Sequence, residues 1–373
     1  MVGLVAALSA EAAPVMGSVL GHVRLFGLTL ELLLIAVALV LVVLAARRRG
    51  RPERPSRSGW PLTAATASVM VLILAVGLNT ELLAYPTLAD LLGISRYPSP
   101  SSVEVEDAKL NGAIADIPVP DTASGFGQFD AEVWLPPQYF TEPLTRFPVA
   151  ILTHGNPGHS TDWLEGGDVA EVGLEVARAG QPVILVMPTV LRTPYGDSLC
   201  VDTASQGNAE TYVVQDVVAA VDGQLRTVPD AAHRTLGGFS MGGFCALNLS
   251  LKHPDVFSVA LAFSPLTVCE PDAIDGGNEE LFGTPDWQQR VKENSPADYY
   301  RTLDPARGPA VWLDAGDDES LTAPMEAFGT ELAETGFTVQ VHTRPGGHDF
   351  GTWTPALEAA LPWAAQRMGQ PAR

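Results

Sequence analysis

Two long apolar runs dominate the start of the chain. LFGLTLELLLIAVALVLVVLAA (25–46) is interrupted only by Glu31, and SGWPLTAATASVMVLILAVGLNT (58–80) carries no charge. Neither shows the polar face that a core helix turns to water, and each is long enough to cross about 30 Å of hydrocarbon as a helix. Two transmembrane helices are therefore expected, over 25–46 and 59–84. Residues 1–24 are mildly apolar but carry Glu11 and Pro14, and read as an N-terminal segment without a span of their own.

Beyond a linker (85–108) that contains the Pro/Ser-rich YPSPSS, the period of the pattern changes. AIADIPVP and AEVWLPP alternate as half-buried strands do, and the turn-rich DTASGFGQFD between them suggests a hairpin. Strand-like stretches follow at 147–154, 181–188, 234–239, 256–264, 310–315 and 338–344, most of them continuous apolar runs. Such runs fit strands buried on both faces of a parallel sheet. Helical patterns alternate with them at 165–179, 209–226, 241–252, 321–335 and 355–368, which predicts a doubly wound, mostly parallel α/β sheet over 109–373. No internal repeat or low-complexity tract interrupts this order.

Charge orients the whole. RRRGRPERPSR (47–57) holds six Arg and one Glu. Short Arg-rich loops stay cytoplasmic, so loop 47–58 is expected inside and the α/β domain outside the cell membrane. A cleaved signal peptide fits poorly, because the basic residues follow the first apolar run. Residues 1–100 carry eight Arg, no Lys and five acids, a net +3, so the total of −21 leaves −24 on the remainder. A body this acidic repels phosphate backbones, which argues against a nucleic-acid partner. Of the three cysteines, Cys200 and Cys269 fall in apparent loops, and a disulfide between them is expected; Cys245 reads as a small core residue of the helix at 241–252.

The chemistry centres on Gly238-Phe239-Ser240-Met241-Gly242, a G-x-S-x-G pattern at a strand end that opens a helix. A turn that tight tolerates no side chain at the flanking positions, and it lifts the serine above the sheet edge as a candidate nucleophile. Among seven histidines, His348 in RPGGHDFGTW follows the last strand, where a base above the sheet belongs. The acid is expected after the strand AVWLDA, in GDDESLTAP (316–324). A carboxylate three residues after the loop glycine selects Glu319; Asp318 is the alternative one residue away, and Asp317 the third. Backbone amides of Met241 and of Asn156, in THGNPGHS, are the expected oxyanion donors, since Pro157 has no N–H. His154 and His159 lack further closely placed ligands for a metal, and no nucleotide fingerprint occurs, so neither metal nor cofactor is expected.

These residues together resemble the esterase family of α/β-hydrolases, which includes S-formylglutathione hydrolases, feruloyl esterases and the secreted trehalose mycolyltransferases. The resemblance runs over roughly 110–368. It includes VWLPPQYF, HGNPG with Trp163, NAETYVVQDVV, GGFSMGGFCALNLSLKHPDVFSVALAFSP and GGHDFGTW. It implies the α/β-hydrolase fold, Ser240 as nucleophile and His348 as base. The stretch SLCVDTASQGNAETYVVQDVV is similar in layout to the mycolyltransferase branch. His154-Gly155 stands where that branch usually has Asp-Gly, and Cys200 lacks the nearby second cysteine of its short disulfide. Two spans ahead of the domain resemble anchored actinobacterial members. The expected protein is a membrane-anchored, extracytoplasmic serine esterase acting on a small-molecule or lipid ester. An acyltransferase using a sugar or lipid alcohol, and a non-catalytic binding module on the same fold, are the alternatives.

Overall fold

The computed structural model describes residues 37, 40, 68–73, 105–193, 196–271, 277–369 and 371. The chain divides into two units, Met1–Tyr97 and Pro98–Arg373. The expected spans 25–46 and 59–84 and the Arg-rich loop between them lie almost wholly outside the described residues. Those described there, 37, 40 and 68–73, are helical, and Val37, Val40, Met70, Val71 and Leu72 are exposed. Among the described residues no helix is long and apolar enough to cross a membrane.

The second unit is built on strands β1 (Ala113–Val119), β2 (Phe129–Leu135), β3 (Val149–Thr153) and β4 (Ile184–Pro188), a small hairpin of β5 (Asp202–Thr203) and β6 (Gly207–Asn208), and then β7 (Arg234–Phe239), β8 (Val259–Phe263), β9 (Ala310–Gly316) and β10 (Val339–Arg344). Eight of them form one sheet in the order β1-β2-β4-β3-β7-β8-β9-β10. The β1–β2 hairpin and the β2–β4 pairing are antiparallel. From β4 to β10 every pairing is parallel. All positions of β3, β4, β7 and β8 are buried, which is why these strands read as unbroken apolar runs. The edge strand β10 is only half-buried along its length.

Helices cover the sheet. α1 (Val169–Arg178) buries Val169, Val172, Gly173 and Val176 on one stripe, and a Cβ on Gly173 would meet the Trp134 ring at 2.7 Å. The helical pattern at 165–179 is in fact broken: Asp162–Glu165 forms a separate turn. Gly166 packs beneath Phe350 and Gly167 beneath Trp163, and Asp168 then takes φ 49°. α2 (209–224) contains a π-helical stretch, Tyr212–Val217. Asp216 in that stretch accepts hydrogen bonds from the hydroxyls of Thr122 and Ser124 and from the amides of 122–124. α3 (Met241–Lys252) is buried at eleven of its twelve residues, and α4 (Thr322–Glu334) lies against β9 and β10.

α5 (Phe350–Met368) starts five residues earlier than the sequence pattern suggests. Pro355 reads as a helix start, but Asp349 caps the helix ahead of it by accepting the Gly351 amide at 2.7 Å. The helix runs on through Pro355 at the loss of one i→i−4 bond.

The cysteines pair differently from the sequence expectation. Cys200 is bonded to Cys245, with Cα atoms 5.3 Å apart, and Cys269 is a buried free thiol. Cys245 lies on the face of α3 over which the 196–201 segment folds, a proximity set by tertiary packing. The bridge ties the helix behind Ser240 to the segment after β4, across 45 residues of sequence. Closing a loop of that length stabilises the fold by about 4 kcal/mol in the chain-entropy model. Replacing Cys200 and Cys245 together by Ser is expected to lower the unfolding free energy in urea by roughly 2–4 kcal/mol. Reductant should do the same to the wild type. An unfolding midpoint indifferent to reductant contradicts the pairing.

Candidate active site

β7 ends at Phe239, and α3 begins at Met241. Ser240 between them has φ 55° and ψ −123°, a conformation that side chains rarely adopt. The turn is crowded enough to require its glycines. A Cβ on Gly238 would strike the Gly242 carbonyl and the Thr153 hydroxyl, and one on Gly242 would lie 2.5 Å from the Thr153 and His154 carbonyls. Thr153 locks the contact by donating to the Gly242 and Gly237 carbonyls at 2.9 and 3.0 Å. The Ser240 amide donates to Phe263 of β8 at 2.8 Å. The serine is thereby held proud of the sheet edge with its hydroxyl free to face the loops.

Two of those loops meet it. His348, in the loop between β10 and α5, places Nε2 2.8 Å from Ser240 Oγ. Its Nδ1 lies 2.6 Å from Glu319 Oε2. Glu319 sits three residues after Gly316 at the end of β9, and its other oxygen accepts the Gly316 amide at 2.6 Å and the Ser264 hydroxyl at 2.7 Å. Burial alone would push its carboxyl up, but the hydrogen bonds from His348, Ser264 and Gly316 and the His348 charge outweigh this and hold it below the usual carboxylate range. An ionised Glu319 fixes the proton on His348 Nδ1 and leaves Nε2 to accept from the serine.

Asp318 takes no part. Its side chain is exposed, and its place in the loop is set through the backbone, with its amide donating to Gly346 at 3.0 Å. Asp317 accepts the Gly346 amide at 3.1 Å, and a Cβ on Gly316 would collide with the Gly346 carbonyl. The acidic loop and the histidine loop are stitched together by these contacts, which present Glu319 to the imidazole and turn Asp318 to solvent. Asp314 stays within β9, buried and paired with Arg344.

The expected oxyanion donors are the residue after the serine and a residue of the loop after β3. Met241 is the first residue of α3, so its amide has no acceptor within the helix. Asn156 is partly exposed in the loop after β3. That loop abuts Ser240, since a Cβ on Gly155 would lie 3.3 Å from Ser240 Cβ and closer still to the Phe239 ring. His154 is fully buried, and burial lowers its pKa to about 4, so it is neutral at pH 7. Its Nδ1 lies 2.7 Å from the Gly155 carbonyl, and Nε2 accepts the Val190 amide at 3.0 Å. With both nitrogens engaged, His154 fastens the segment after β4 to the loop after β3 and has no lone pair left for a metal.

Three aromatic residues that the sequence placed in motifs but gave no role lie against the site. Trp353 of α5 stacks on Phe239, ring centroids 4.4 Å apart, and meets the edge of His348 at 5.0 Å. Its indole N–H donates to Ser264 at 2.9 Å. Trp163 and Phe350 close the same aromatic group beneath the turn, with Trp163 also donating to the Thr153 carbonyl at 3.1 Å. Trp163 after HGNPG and the aromatic content of GGHDFGTW are the sequence hints at this layer. An activated Ser240 should react with a fluorophosphonate. Glu319→Gln is expected to slow that labelling by about 10³-fold or more, and Asp318→Asn to leave it within about twofold. Equal slowing by both substitutions would show that the carboxylate facing His348 is not the one that matters.

The arrangement finds matching company among known proteins. A family model described as "Putative esterase" matches residues 127–364. An uncharacterised protein of Corynebacterium glutamicum is 26% identical over 329 residues, covering 82% of this chain and 76% of that protein. A Mycobacterium tuberculosis protein named as an esterase is 28% identical over 241 residues, 58% of this chain and 52% of that protein, so the match spans about half of that relative's length. Among solved structures, a ferulic acid esterase shares the fold at a TM-score of 0.59 and 23% identity, over 70% of this chain and 100% of that one. With well over half the chain matched by the family model, this protein belongs to the esterase family of α/β-hydrolases.

Proposed function

We propose that this protein is a serine hydrolase of carboxylic esters, anchored in the cell membrane with its catalytic domain outside. The observation that carries the catalytic part is the continuous chain Ser240 Oγ, His348 Nε2, His348 Nδ1, Glu319 Oε2, with contacts of 2.8 and 2.6 Å. Ser240 Oγ attacks the ester carbonyl carbon and passes its proton to His348 Nε2. The Met241 and Asn156 amides face the developing oxyanion. His348 returns the proton to the departing alcohol, which leaves an acyl group on Ser240. A water deprotonated by His348 then releases the acid and restores the serine. Glu319 remains ionised throughout and stabilises the imidazolium at each stage. Part of the His348 side chain, 37%, is open to solvent, which supports water as the acyl acceptor.

The test is ester hydrolysis by the detergent-solubilised protein, with p-nitrophenyl acetate as substrate. Ser240→Ala is expected to lower kcat by about 10⁴-fold or more. A wild type that neither turns over nor takes up a fluorophosphonate would instead favour the non-catalytic module. Once an acyl-enzyme is trapped, faster release into added sugar or glycerol than into water would move the assignment to an acyltransferase.

Anchoring and orientation rest on the apolar runs 25–46 and 58–80 with the Arg-rich loop between them. The Cys200–Cys245 bridge supports an oxidising compartment for the domain. A C-terminal tag is expected to be removed by protease added to spheroplasts. Full protection of the tag would reverse the topology.

A further inference from the structure

We propose that Ser264 is a positioning residue for the carboxylate of Glu319, acting together with Trp353; the proposal rests on the reading of Glu319 as the acid that serves His348. Ser264 follows β8 with φ 46°, one of five non-glycine residues with positive φ among those described. A side chain kept in that conformation is held there by its surroundings. Its amide donates to the Asp314 carbonyl at 2.7 Å, which pins the turn to β9, and it is fully buried.

Its hydroxyl has one possible polarity. An indole N–H can only donate, so the 2.9 Å contact from Trp353 Nε1 occupies a lone pair of Ser264 Oγ. The hydroxyl proton is then directed at Glu319 Oε1, 2.7 Å away. The Gly316 amide supplies a second donor to the same oxygen at 2.6 Å. With Oε1 held by two donors, the carboxylate cannot rotate without breaking both, and Oε2 is left facing His348. Without the hydroxyl one donor remains, and the plane of the carboxylate is free to swing away from Nδ1.

Trp353 extends this control to the other two members. It stacks on Phe239, the residue before Ser240, and touches the edge of the His348 ring. A single indole thus braces the nucleophile turn and the base, and reaches the acid through Ser264. The other charged groups around this network are engaged elsewhere. Asp314 pairs with Arg344, Asp317 holds the Gly346 amide and Asp349 caps α5. None of them can replace the Ser264 donor.

The experiment compares Ser264→Ala, Ser264→Gly and Trp353→Phe in ester hydrolysis by the full chain, each alone and combined with Glu319→Gln. Glycine suits φ 46°, so Ser264→Gly removes the hydroxyl without backbone strain and carries the test should the alanine variant fold poorly. Trp353→Phe keeps an aromatic ring on Phe239 but loses the N–H. Each single variant is expected to lower kcat by about 10- to 100-fold with KM within about twofold. In the Glu319→Gln background the same changes should cost little further, because the carboxylate they orient is gone. A residue with a merely structural role would instead lower Tm and act to the same extent in both backgrounds. The proposal is overturned by Ser264→Gly turning over within twofold of wild type, or by losses that multiply with that of Glu319→Gln. If Glu319→Gln alone left kcat unchanged, the assignment of the acid itself would fail, and this proposal with it.

Discussion

Everything at the site depends on a steric constraint at one turn. Between β7 and α3 the chain must reverse so closely that the Gly238 and Gly242 backbones touch each other and the carbonyls of Thr153 and His154. Nothing larger than hydrogen fits there. Ser240 is consequently driven to φ 55°, a strained conformation that persists only because its neighbours determine it. The Phe263 carbonyl fixes its amide, and the Thr153 hydroxyl clamps the first turn of α3. A rigid serine is one whose distance to a base can be set by other loops.

Those loops are delivered by the sheet. In a parallel sheet the carboxyl ends of neighbouring strands share one edge, so the turns after β3, β7, β8, β9 and β10 all emerge together. The turn after β3 brings the loop of His154 and Asn156, that after β7 the serine, and that after β8 Ser264. The last two bring Glu319 and His348. Each arrives with its own fastening: His154 to Val190, Asp317 to Gly346, Asp349 at the start of α5. The aromatic layer of Trp163, Phe239, Phe350 and Trp353 lies beneath them. Its rings meet in the edge-to-face and stacked arrangements that aromatic pairs favour, and the polar loops rest on that floor.

Electrostatics follow from the same placement. Burial would favour a neutral Glu319, yet it is ringed by donors that exist only in the folded chain, and these keep it ionised. His154 shows the opposite balance. Full burial with one donor and one acceptor in reach favours the neutral imidazole. Its pKa of about 4, against the ordinary 6.5, means that the unfolded chain takes up this proton more readily. The contribution is complete above the ordinary value and declines as pH falls from about 6.5 towards 4. The fastening between the loop after β3 and the segment after β4 therefore belongs to neutral pH.

The sequence by itself determined the sheet, the strained serine and the loop that carries His348, because each depends on short-range chemistry. Buried parallel strands must be apolar throughout, a turn without room must carry glycine, and a loop that follows the last strand of a parallel sheet emerges at its carboxyl edge. Position within a turn is local enough that the count from Gly316 already pointed to Glu319. What only the tertiary structure decided were questions of which surface meets which. Asp318 and Glu319 differ by a rotation of the chain that is settled by Asp317 and Gly346 in a loop 29 residues away. The partner of Cys200 depended on how the 196–201 segment folds over α3, so the bridge forms to Cys245 and leaves Cys269 free. Ser264 and Trp353 are 89 residues apart, in two separate stretches of the resemblance, and nothing in either stretch says that they meet. Their hydrogen bond exists because β8 and α5 are packed on the same edge, and contacts between distant segments leave no periodicity or spacing in the chain to read.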